Sequence, residues 1–133
     1  MLAVPAVVRR AMVAHARRER PRECCGLLLG RGRRVTFAVP MRNVASVATR
    51  YRIDAAAHVE LRRVLRGVIP ALSIIGVYHS HPAGDASPSE TDVVEAMYPE
   101  WTYVIVGLAG RRSRIRGFRI RHGRAREIAI RGR

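Results

Sequence analysis

Two histidines one residue apart, His79 and His81, follow directly on the apolar run Leu72 to Tyr78. On an extended strand residues i and i+2 face the same way, so the two imidazoles project side by side and can share one metal ion. Pro82 stops the strand immediately after them. Asp92 stands a short loop further on, in the first turn of a helix that begins at Ser89, and can fold back to add a carboxylate oxygen. Two nitrogens and one oxygen leave a fourth tetrahedral position open for water, the arrangement of a catalytic rather than a structural zinc site. Hydrolysis by such a site also needs a proton carrier. The candidate is Glu23, an acid at the mouth of the short apolar run Cys24 to Leu29. From the residues alone, a plain surface carboxylate is its other reading.

The elements that must hold these groups follow from pattern. Residues 5–19 carry Val8, Met12 and His15/Ala16 at helical spacing, with Pro5 suited to a first turn and Pro21 as a stop. Cys24 to Leu29 and Val35 to Val39 are short apolar runs separated by Arg31-Gly32-Arg33, which predicts a β-hairpin. Residues 41–50 read as loop and 51–53 as a short extended piece. Asp54 then caps a helix over 55–66, with Val59, Leu61, Val64 and Leu65 as its apolar face. Leu72 to Tyr78 has the continuous apolar character of a central strand buried on both faces. Ser89-Glu90-Thr91-Asp92 is a helix N-terminus with acids in the first turn. Strands are expected over 103–108, 115–120 and 128–130, with His122-Gly123 as a turn. The order α-β-β-α-β-α-β-β-β predicts a single α/β domain over 1–133, a curved mixed sheet flanked by helices, with residues 111–133 as Arg-rich C-terminal strands or tail.

Composition narrows the function classes. At 133 residues and 48% apolar content the chain can bury one core, which excludes a wholly disordered protein. The longest uncharged apolar stretch, Gly67 to Tyr78, falls short of the ~18 residues of a membrane span. The N-terminus lacks a basic leader region, so a cytoplasmic location is expected. A net charge of +15 points toward polyanions. All 25 cationic residues are arginine, however, and they are spread along the chain, with Arg-rich stretches at 9–22, 31–34, 62–66 and 111–133. That distribution favours a solvated basic surface over a dedicated nucleic-acid groove. Cys24 and Cys25 are adjacent and have no third or fourth cysteine, which excludes a cysteine zinc site; they read as small apolar residues of a buried strand.

Glu23 followed by Cys-Cys-Gly-Leu-Leu, then His79-Ser80-His81-Pro82, Ser89 and Asp92, resembles the JAMM (MPN-plus) metalloprotease motif. That motif runs Glu, a long gap, His-x-His-Pro, Ser, two residues, Asp. The resemblance extends from the first helix to Ile120 and implies a cytidine-deaminase-like α/β fold of JAB1/MPN type. It further implies one Zn2+ per chain held by His79, His81 and Asp92, with a water completing the shell. Glu23 would act as general base and then as acid to the leaving amine, and Ser89 would donate to the developing oxyanion besides capping its helix. His15, His58 and His122 read as structural or surface residues, Asp85 and Glu90 as solvated loop acids. A deaminase itself would carry His-x-Glu and Pro-Cys-x-x-Cys, and neither occurs.

Residues 93–100, between Asp92 and the next strand, hold no His or Cys, so the accessory zinc of larger ubiquitin-chain-cleaving members is not expected. The short form is similar to the stand-alone prokaryotic branch. The implied reaction is hydrolysis of the bond after the C-terminal Gly-Gly of a ubiquitin-like or sulfur-carrier protein. A Gly-Gly tail suits a narrow groove, where it can pair with a sheet edge. An Arg-rich edge at Arg114, Arg116, Arg119 and Arg121 offers an acidic carrier a docking surface. A RadC-like, DNA-associated protein is the alternative, since residues 79–92 and the basic charge also resemble that branch; the Glu23 to Leu28 context favours the protease branch. A non-catalytic scaffold would have lost motif residues, and here every one is filled. No membrane partner is expected. The oligomeric state, a homodimer included, and a general peptidase activity stay open.

Overall fold

The computed structural model describes residues 1–132. After a two-residue strand, β1 (Leu2–Ala3), comes helix α1 (Ala6–Glu19), which starts behind Pro5 and buries Val8, Met12, His15 and Ala16 along one stripe. The hairpin β2 (Cys25–Arg31) and β3 (Arg34–Met41) turns on Gly32 and Arg33, with Gly32 in the left-handed region at φ 56°. Helix α2 (Ala55–Leu65) begins where Asp54 accepts a hydrogen bond from the Ala56 N–H. Strand β4 (Ser73–His81) leads through a loop to the short helix α3 (Glu90–Glu95). Strands β5 (Thr102–Gly107), β6 (Arg114–Arg121), β7 (Arg124–Ile128) and β8 (Ile130–Arg131) complete the chain.

Among the described residues the eight strands belong to one mixed sheet in the order β7-β6-β5-β4-β2-β3-β1-β8. The two edge strands are consecutive in sequence and separated only by Ala129, so the sheet curls until it nearly closes on itself. Here the expected strand over 128–130 is corrected. Ile128 pairs with Gly117 on β6, whereas Ile130 pairs with Leu2 on β1, and the chain changes partner between them. Strand β1 was not anticipated, because two residues before a proline show no alternation to read. It is nevertheless anchored, with the Leu2 N–H donating to the Ala129 carbonyl at 2.9 Å and Val4 fully buried.

One face of the sheet packs on α1, where Met12, Leu28, Tyr78 and Val104 meet. The other carries Leu27, Val77, Ile105 and Phe118 beneath α2, α3 and Trp101. The apolar face expected for α2 is also corrected. Val59 and Val64 are exposed at 68% and 51%, while His58, Leu61 and Leu65 turn inward. The half-buried stripe runs i, i+3, i+7 through the histidine, whose ring lies against Tyr98 and Trp101. As expected, β4 is central, antiparallel to β2 and parallel to β5, with residues 76–80 buried. Among the described residues no helix is long and apolar enough to cross a membrane.

Candidate metal centre

The end of β4 carries His79 and His81 on one face, and their Nε2 atoms lie 3.2 Å apart. One oxygen of Asp92, Oδ2, sits 3.2 Å from the first and 3.1 Å from the second. Three donors thus form a nearly equilateral triangle. Ligands at about 2.0–2.1 Å from a tetrahedral zinc ion lie about 3.3 Å from one another, so the donor types and the spacing both fit such an ion.

Local folding aims each donor. The capping box of α3 closes between Ser89 and Asp92: the Asp92 N–H donates to Ser89 Oγ at 3.0 Å, and the Ser89 N–H donates to Asp92 Oδ2 at 2.9 Å. His81 donates from Nδ1 to the Asp85 carbonyl at 2.8 Å, which leaves Nε2 as the free lone pair. That contact depends on Gly107, since a Cβ there would lie 2.6 Å from the Ala86 nitrogen and push the 85–86 backbone off the end of β5. His79 is buried to 1% exposure and stacks on Tyr51, with ring centroids 4.3 Å apart.

Electrostatics follow from burial and from Asp92. Burial holds the His79 pKa low despite the hydrogen bond and charge of Asp92, so this imidazole stays neutral and able to ligate. For His81 burial works downward, but the Asp92 hydrogen bond, the Asp85 carbonyl and the neighbouring carboxylates raise its pKa overall. Burial opposes ionisation of Asp92, yet its hydrogen bonds to His79, His81 and the Ser89 N–H keep its pKa far below the usual carboxylate range. An anionic oxygen facing two imidazole nitrogens is an arrangement suited to a cation.

Glu23 lies just before β2 and is 7% exposed, and its Oε1 is buried without a hydrogen-bond partner. Burial pushes its pKa up to about 7, with His81 acting to lower it and Asp92 to raise it. Its backbone is held on both sides: the N–H donates to the Ala48 carbonyl at 3.0 Å, and the carbonyl accepts from Asn43 Nδ2 at 2.9 Å. The next residue is tied to β4, where Ser80 Oγ accepts from the Cys24 N–H at 2.8 Å. Glu23 and His81 line one open cleft, and Asp92 and Tyr51 line another, with Thr49 between them.

The expected set therefore comes together in space: His79, His81 and Asp92 as a triangle, Ser89 as their cap and Glu23 beside them. Asn43, Tyr51 and Ser80 were not anticipated. Ser80 carried a signal, because strand alternation turns the residue between two site histidines to the opposite face. Asn43 and Tyr51 carried none, lying in a segment without periodicity. His15 bonds Tyr78 Oη at 2.8 Å inside the core, and His122 occupies a turn at φ 50°. The Asp85 carboxylate accepts from the Ser87 N–H, so only its carbonyl serves the site. Cys24 and Cys25 are buried and unpaired, and burial pushes their thiols up to about 11 and about 12, which leaves them inert at neutral pH.

A curled sheet with a His-x-His strand end facing a helix-capping Asp defines a JAB-type domain. Residues 5–120 match the prokaryotic homologues of the JAB domain, and the chain belongs to that family. It is 36% identical to the CysO-cysteine peptidase of Mycobacterium tuberculosis over 98% of its length and 90% of that protein. It is 38% identical to the probable TtuB-protein conjugate cleaving protease of Thermus thermophilus, over 88% of this chain and 73% of that one. A Desulfitobacterium hafniense protein solved in solution superposes with a TM-score of 0.88 at 30% identity, covering 98% of this chain and 91% of that one.

Proposed function

We propose that this protein is a zinc-dependent peptidase that hydrolyses the bond after the C-terminal Gly-Gly of a ubiquitin-like or sulfur-carrier protein. The observation that carries this reading is the triangle of His79 Nε2, His81 Nε2 and Asp92 Oδ2 beside a buried carboxyl, Glu23, whose Oε1 has no partner. The relatives named above support the substrate class, since one is named a CysO-cysteine peptidase and the other a probable TtuB-protein conjugate cleaving protease.

Zinc bound to His79, His81 and Asp92 would supply a Lewis acid and make water nucleophilic near neutral pH. Glu23 takes the proton of the attacking water and passes it to the leaving amine. A carboxyl whose pKa stands at about 7 is matched to both transfers. Ser89 Oγ accepts from the Asp92 N–H and keeps its own hydroxyl hydrogen to donate to the developing oxyanion. Tyr51 covers His79 and excludes water from its buried side. The reading is tested by following cleavage of a carrier bearing a short peptide after Gly-Gly, with zinc-loaded protein, with a chelator and with Glu23→Gln.

A further inference from the structure

The four arginines expected to form one docking edge do not do so. Strand alternation places Arg114 and Arg116 on one face of β6 and Arg119 and Arg121 on the other. Arg116 is occupied, clasping both oxygens of Glu127 at 2.9 and 2.8 Å. On the opposite face the register sets Arg119 directly against Arg126 and Arg121 directly against Arg124. Like charges facing each other across strands are destabilising. Residues 119–126 also overhang the sheet, because β5 pairs with β6 only as far as Phe118.

The fold brings a fifth arginine, Arg33 of the β2–β3 turn, to the same hollow of about 810 Å³. Its one acid, Glu127, is spent on Arg116, and among the described residues none of Arg33, Arg119, Arg124 and Arg126 is paired with a carboxylate. This gathering was invisible in a sequence that spreads its arginines along the chain. The hollow is also remote from the metal centre. At that end the ladder reads His81–Gly107–Arg114, and Arg119 to Arg121 lie five to seven residues further on, about 17–23 Å away. Arg119 faces the α1 side of the sheet and Arg121, at the strand end, reaches the Pro99 carbonyl at 3.3 Å, whereas His79 and His81 face the α2 side at the other end of the strands, so a protein held at the metal centre leaves the hollow uncovered.

We propose that this arginine-lined hollow is a second binding site, for the phosphate backbone of duplex nucleic acid. Guanidinium groups are planar forks that match phosphate oxygens, and along a strand they repeat at about 6.6–6.8 Å. A protein partner is disfavoured because protein interfaces carry an apolar, aromatic-rich centre, whereas the hollow offers only Met1, Ile128 and Ala129 as apolar lining. Nucleic-acid interfaces are polar and strongly positive. The lining has no aromatic ring for stacking on unpaired bases, which selects the duplex over a single strand.

The experiment is fluorescence anisotropy of a mixed-sequence 20-base-pair DNA with the zinc-loaded full chain between 50 and 200 mM salt. Five phosphate contacts give a slope of log K against log salt of about −4 to −5. Arg119→Ser with Arg126→Ser lowers that slope by about 2, while Arg10→Ser with Arg17→Ser on α1, an equal loss of charge, leaves it unchanged. Removal of a like-charge pair does not lower the thermal midpoint. Should that serine variant unfold, Arg33→Ser with Arg124→Ser takes its place and lowers the slope by the same amount, and an unchanged slope there would overturn the assignment. Equal weakening by the two serine pairs would overturn the assignment, as would a slope near zero. Displacement of the DNA by poly-glutamate at equal charge concentration, with the same dependence on Arg119 and Arg126, would reassign the hollow to an acidic protein and overturn it too.

Discussion

Ser89 and Asp92 hold each other reciprocally: each backbone N–H donates to the other's side chain, at 2.9 and 3.0 Å, and the Asp92 oxygen used is the same Oδ2 that faces both imidazoles. Starting α3 and completing the donor triangle are therefore one event. Ser89→Ala leaves the Asp92 N–H without its cap, at a cost of about 1 kcal/mol. Zinc affinity should fall with it, by about 10-fold, because the turn that carries Asp92 loses its cap, while the Ser89 backbone N–H to Oδ2 survives the substitution. Zinc titration of the variant checks this, and unchanged affinity would separate the cap from the metal centre.

Metal removal gives a direct readout on stability. Zinc at 100 times its dissociation constant should stabilise the fold by about 2.7 kcal/mol, since the donors converge only in the native state. Asp92→Asn should abolish that stabilisation in a thermal scan with and without zinc. In wild type the effect should fade as pH falls through the imidazole range, because protons compete for the same nitrogens. Full persistence of the zinc effect in Asp92→Asn would place the metal elsewhere.

Glu23 makes a second pH signature in the metal-free protein. Burial raises its pKa from an ordinary 4.5 to about 7, so across that window the native state binds more protons than the unfolded chain. Stability then falls as pH rises from 4.5 to 7. Glu23→Gln lacks the penalty. The midpoint difference between variant and wild type should grow from near zero at pH 4 to a plateau above pH 8. A difference independent of pH would show that the Glu23 carboxyl is not desolvated.

Asn43 holds the segment that flanks the site. Its Nδ2 donates to the Glu23 and Arg50 carbonyls, and its Oδ1 accepts from the Ala45 and Arg52 N–H groups. Asn43→Ala should cost about 1–3 kcal/mol of stability through these abandoned groups. Catalytic turnover should fall about 10-fold or more while zinc content stays at one per chain, because Glu23 and Tyr51 are displaced and the donor triangle is not. Loss of zinc together with activity would contradict the assignment of Asn43 to the flanking segment.

The donor triangle was legible because each part rests on a local rule. Alternation pairs His79 with His81, a proline ends the strand, and a cap starts the helix that carries Asp92. The central place of β4 was legible from its continuous apolar run, whereas the order of its neighbours was not. What escaped the sequence depends on contacts between distant segments. The switch of strand partner at Ala129, the inward turn of His58 in place of Val59 and the bracing of Glu23 by Asn43 are decided by tertiary packing. The division of the β6 arginines between two faces follows from a two-residue period, and their reunion with Arg33 follows from sheet closure.

The central claim is tested most directly by intact-mass analysis of a ubiquitin-like sulfur carrier bearing a short peptide after its Gly-Gly, incubated with the zinc-loaded protein. The account predicts a mass drop to the Gly-Gly terminus, abolished by chelator. In Glu23→Gln the rate should fall about 10²- to 10⁴-fold with zinc content unchanged. Cleavage that persists at the wild-type rate in the chelated protein or in Glu23→Gln would contradict it.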